Sequence, residues 1–93
     1  MPDGEDPRVA ALRRAVTRLR GELDAYPADL RDRCTAEEQL AALEEMARGG
    51  PEVPELRHAL LLVASAVGSV SALAAALADV RKAVELFGDP PRS

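Results

Sequence analysis

Residues 59–78 read ALLLVASAVGSVSALAAALA, 20 positions with no charged side chain, and the interpretation of this run decides the fold. It lies inside a longer apolar pattern. Leu56, Leu60, Val63, Val67, Val70, Leu73, Leu77, Val80, Val84 and Phe87 recur at steps of three and four, which is one stripe on an α-helix. The pattern predicts a single helix over residues 54–87, ~50 Å long at the usual rise per residue. Two successive steps of three, Val67 to Val70 to Leu73, add a stammer that should overwind or bend the helix there. A second row, Ala64, Gly68, Ala72 and Ala76, runs at steps of four on the other side, with Ser71 and Ala75 beside it.

A helix that is apolar all round is buried on all sides. Two short helices in a chain of 93 residues cannot enclose one of this length. The missing cover is expected from a second copy, another protein or lipid. Small residues let two backbones approach closely, so the expected interface is Ala64, Gly68, Ala72, Ala76, Ser71 and Ala75, joining two chains into a homodimer. Lipid is the weaker candidate. Twenty residues would reach across a hydrocarbon core, but only eight of them are Leu or Val and no Trp marks an interface. The apolar stripe also continues past the charges at both ends, as a packing seam in water does.

Upstream, Asp6-Pro7 is a helix start, with a capping carboxylate followed by a proline suited to the first turn. Val9, Leu12, Val16, Leu19, Leu23 and Tyr26 then form a clean amphipathic stripe, and Pro27 ends the helix, giving residues 7–26. Its outer side carries Arg8, Arg13, Arg14, Arg18 and Arg20, with Glu22 and Asp24 only at the far end. A connector tucks Leu30 inward. Thr35-Ala36-Glu37-Glu38 matches a capping box, predicting a second helix over 35–48 with Leu40, Leu43 and Met46 or Ala47 inward. Gly49-Gly50 stops it, Pro54 opens the long helix at its first position, and Gly88 caps the far end. The whole is an all-α, three-helix protomer in one domain over 6–88, with a disordered lead at 1–5 and tail at 89–93. Glu37, Glu38, Glu44 and Glu45 make the second helix acidic outside, so it can pair with the arginines of the first and fix antiparallel packing. The alternative is that the arginine face docks an acidic partner.

Composition closes off several functions. A net charge of −4 argues against binding nucleic acid through its phosphates. A single cysteine fits a reducing cytoplasm, and the acidic first residues are not those of an export signal. Ile, Asn and Trp are absent and only one Lys occurs, a bias of G+C-rich genomes.

Catalytic, metal and cofactor sites find no support. His58 is the only histidine and reads as a boundary residue, and no cluster of Cys and His accompanies it. Cys34 lies near Arg31 and Arg33 but lacks a nearby base, so a small buried thiol is expected. Ser65, Ser69 and Ser71 have no base either. In size the chain is similar to the small all-helical chorismate mutases, dimers that bind a dicarboxylate through Arg and Lys with an inward Glu or Gln. The uncharged centre of the long helix, with the sole Lys82 near its end, argues against that activity.

The run LLLVASAVGSVSALAAAL, preceded by AEEQLAALEEMA and a Gly-Pro turn, resembles small uncharacterised helical proteins of high-G+C Gram-positive bacteria. The likeness extends from Val9 to Phe87 and implies no activity, since none is known for such proteins. The function expected is therefore non-enzymatic self-association of an adaptor type in the cytoplasm. The competing readings are a regulatory protein that binds another protein's helix, a membrane-inserted protein, and the small enzyme above.

Overall fold

The computed structural model describes residues 6–27, 30–49 and 52–88. The lead and tail expected at the two ends fall outside those residues. Four helices follow one another: α1 (Pro7–Ala25), α2 (Arg33–Arg48), α3 (Val53–Val67) and α4 (Ala74–Gly88), with a 3-10 turn at Ser71–Leu73 leading into α4. No strand occurs among the described residues.

The first helix forms as its sequence requires. The Asp6 carboxylate accepts from the Arg8 backbone N–H at 2.8 Å, and Pro7 supplies a fixed dihedral in the first turn. Tyr26, next to Pro27, is extended at φ −69°, ψ 122°, which ends the helix. The last carbonyls of α1 are met from outside. Arg33, the first residue of α2, donates to the Leu23 carbonyl at 2.8 Å and to the Tyr26 carbonyl at 3.2 Å.

Helix α2 starts at Arg33 rather than Thr35, and the Asp32 position ahead of it makes no side-chain cap. The Leu30 turn, closed by Arg33 N–H to the Leu30 carbonyl at 3.2 Å, winds straight into the helix. Thr35 and Glu38 therefore lie on the outer face of the helix instead of capping it. The other end follows the sequence, with Gly49 donating to the carbonyls of Glu45 and Met46. Pro54 is likewise the second residue of α3, not its first.

The single helix expected over residues 54–87 is two helices. Helix α3 ends at Val67, Gly68 keeps right-handed dihedrals, and Val70 is extended at φ −94°, ψ 102°, turning the chain back. The break falls at the stammer. Gly, Ser and β-branched Val in succession are poor helix formers, at a summed cost of ~1–2 kcal/mol relative to alanine. Packing settles the matter. Folding back buries Leu73, Leu77, Val80 and Val84 as well as Leu56, Val63 and Val67, and full burial of such a side chain is worth ~1.5–3 kcal/mol. A straight helix would leave one half of the stripe uncovered, so the turn wins by a wide margin. Glycine is needed at 68 because of a close approach. Its N–H donates to the Ala64 carbonyl at 2.7 Å, and a Cβ would overlap that same oxygen.

The topology is up-down-up-down. The Arg8 guanidinium stands 5.2 Å over the Phe87 ring, so α1 begins where α4 ends. Val9 and Arg13 share a crevice with Ala47 and Arg48 at the end of α2. A Cβ at Gly88 would meet Val53 and Arg57 at the start of α3. Around the bundle each helix packs on two neighbours, α1 on α2 and α4, α3 on α2 and α4. The core is wholly aliphatic, and no polar side chain is buried among the described residues.

Candidate functional site

On α1, Ala11, Arg14, Ala15 and Arg18 recur at steps of three and four. On α4, Asp79, Lys82, Ala83 and Leu86 do the same, and the two strips line one groove of about 370 Å³. Because α1 and α4 run antiparallel, Arg18 meets Asp79 at one end and Ala11 lies by Leu86 at the other. Ala15 and Ala83, 8% and 5% exposed, make the floor between. Alanines on both helices leave this trough because neither has a side chain long enough to fill it.

Charge is distributed unevenly along it. Arg18 donates to Glu22, one turn on, at 3.1 Å and to Asp79 across the groove, closing that end with a bridge between helices. These carboxylates, Glu22 foremost, hold the guanidinium even more firmly protonated than usual. Arg14 and Lys82 are exposed, one on each helix, and no ion pair engages them among the described residues. Leu86 is 45% exposed at the apolar end. With Arg18 already met by Glu22 and Asp79, the exposed Arg14 and Lys82 leave a local positive excess here on a chain whose net charge is −4.

The small residues expected to join two chains are placed differently from one another. Ala64 is half-buried against the chain's own core and Ala76 is fully buried in it. Gly68, Ser71, Ala72 and Ala75 are exposed around the turn. The row is therefore not one stripe, because the Gly68–Val70 break parts Ala64 and Gly68 from the rest. Close by on α3, Leu61 is 62% exposed. The expected pairing of α1 with α2 is made by Arg20, which donates to Glu44 at 3.2 Å, whereas Arg18 turns to α4. Cys34 is exposed rather than buried, since α2 begins before it and carries it outward. His58 is exposed as well. No group of His, Cys, Asp and Glu that could hold a metal occurs among the described residues, and none of the helices there is long and apolar enough to cross a membrane.

Sequence reasoning missed the groove. It scored Leu and Val as the buried stripe of α1 and set Arg14 and Arg18 on a solvated face. The available signal was Ala11 and Ala15 at a step of four with Arg14 and Arg18 in register, and Ala83 beside Lys82.

The chain belongs to the DUF5955 family, a family of unknown function, which it matches over residues 1–88. No curated protein and no solved structure matches it.

Proposed function

We propose that this DUF5955 chain is a cytoplasmic, non-enzymatic interaction module that docks a helix of another protein in the groove between α1 and α4. The observation that carries this reading is the groove itself, with an alanine floor, exposed Leu86, and Arg14 and Lys82 on opposite walls with no ion pair among the described residues. A helix laid in a trough of this kind contributes apolar side chains to the floor and polar ones to the rim. No Ser, Cys or His lines the groove among the described residues. Nor, among the described residues, does a Glu or Gln line it, as the mutase comparison would require. A photo-crosslinking amino acid at Ala11 should join the protein to a discrete partner in cells, and the same group at Ser65 on α3 should not. Equal labelling from both positions would defeat the reading.

Exposed Leu61 favours a second reading, self-association through the uncharged surface of α3 and the turn, including Gly68, Ser71, Ala72 and Ala75. The bundle already covers its own Leu/Val stripe, so such a homodimer would add to the fold rather than complete it. Absolute mass in solution across a concentration series tests it. A dimer dispersed by Leu61→Glu would carry it, and a monomer throughout would end it.

A further inference from the structure

Resting on the docking role above, we infer that the occupant of the groove is an acidic amphipathic helix, and that Asp79 is a built-in competitor for its carboxylates. The argument is one of charge and shape. The chain as a whole is negative, yet this trough concentrates Arg14, Arg18 and Lys82 about a floor of Ala11, Ala15 and Ala83. Complementary potentials of this local kind select partners and steer encounter more than they add affinity. On a chain of net negative charge, an acidic helix finds here an apolar floor flanked by cations on both walls, which favours this seat.

The groove also sets a direction and a register. Its Ala11–Leu86 end is apolar and its Arg18–Asp79 end is charged, so the helix lays its large apolar residues toward the first. Its carboxylates meet Arg14 on one wall and Lys82 on the other. At the far end the Arg18 guanidinium is shared between Glu22 and Asp79. An incoming carboxylate must take the place of Asp79, an exchange between exposed groups that costs little. Removing the Asp79 charge leaves Arg18 held by Glu22 alone, with its Nη1 open to the guest, and should strengthen binding, the opposite sign to loss of Arg14 or Lys82.

The test uses fluorescent peptides of about 18 residues, as long as α1 when helical. One bears leucines at helical spacing with glutamates flanking them, and a control has every glutamate replaced by glutamine. Anisotropy titrations are run against the full chain, with circular dichroism to confirm that each variant is folded. The glutamate peptide should bind, and should weaken as salt rises. Arg14→Glu with Lys82→Glu should lower its affinity at least about tenfold, and Asp79→Asn should raise it several-fold. A lysine peptide binding the doubly reversed protein would add support by charge exchange. If the glutamine peptide binds equally well and Ala11→Leu blocks both, the groove docks a helix but not an acidic one, and the inference alone is overturned. If neither peptide binds, the docking role falls with it. Self-association abolished by the doubly reversed variant would make the occupant a second copy, which also overturns the inference.

Discussion

The α1–α4 groove and the α3–α4 turn are both built from small residues, and they use them in opposite ways. In the groove, Ala11, Ala15 and Ala83 sit within continuous helices. There a missing side chain becomes a trough, and its neighbours Arg14 and Lys82 become a rim. At the turn, Gly68, Ser69 and Ser71 lie where the helix stops. Small size there lets backbone approach backbone within one chain. A row of alanine, glycine and serine therefore does not by itself denote a contact between helices. The meaning depends on whether the helix persists through the row, and persistence is a tertiary outcome.

The sharpest way to break the comparison is at the residue that rewards the turn. Leu73 is 1% exposed and closes the 3-10 turn that leads into α4. Leu73→Ala should cost ~2–5 kcal/mol in urea unfolding. A loss below about 1 kcal/mol would mean that the fold-back buries less than argued.

Next in size is Gly68→Ala, whose value lies in its sign. With the turn present, the added Cβ overlaps the Ala64 carbonyl oxygen, so the protein should lose ~1–3 kcal/mol, or roughly 4–8 °C of melting temperature per kcal/mol. In an uninterrupted helix the same change would stabilise by about 1 kcal/mol. Gly68→Leu, which would test a contact between chains if the row were continuous, meets the same obstacle within the chain and so reports on the turn.

The smallest effect concerns the groove-side helix α1 and sharpens the contrast at its start. Arg8 donates to the Asp6 carboxylate from its backbone and its guanidinium while standing over Phe87 of α4. The side-chain hydrogen bond from Arg8, ahead of the backbone one, lowers the Asp6 pKa. A carboxyl whose folded pKa is depressed stabilises the fold above its unfolded value, and that contribution disappears as pH falls through the folded value. Asp6→Asn keeps much of the cap but loses the ion pair. Its stability should therefore approach that of the parent only in acid, below the ordinary aspartate range. A difference that persisted unchanged into acid would remove Asp6 ionisation as the cause. The turn carries no such group, and Gly68→Ala should be pH-independent over the same range.

Much of the architecture was legible beforehand. The stripes placed Leu12, Val16, Leu19 and Leu23 of α1, Leu40 and Leu43 of α2, and Leu56, Val63, Leu77, Val80 and Val84 of α3 and α4 inside, where they are buried. The ends at Asp6, Pro27 and Gly49 were equally plain, because capping chemistry is local. The Thr35 box misled, since a nearby turn and the reach of Arg33 to α1 moved the start of α2 by two residues. The small residues and cations of each groove wall were visible in the sequence, but their pairing into one groove was not. Arg18 and Asp79 are 61 residues apart in sequence, and nothing in either segment announces the other.

What the sequence by itself determined is which side chains face inward, because helical periodicity is fixed by backbone geometry and needs no partner. It determined the ends at Asp6, Pro27 and Gly49, because capping is local, and it marked the stammer where the apolar run is weakest. Whether the run breaks there was for the tertiary structure to decide. Continuing or ending a helix over Gly68, Ser69 and Val70 differs locally by only ~1–2 kcal/mol. Returning α4 across α1 buries four further aliphatic side chains at ~1.5–3 kcal/mol each. That fold-back gave the bundle its fourth helix, let the chain cover its own stripe, and brought two separate strips of alanine and cation together as one groove.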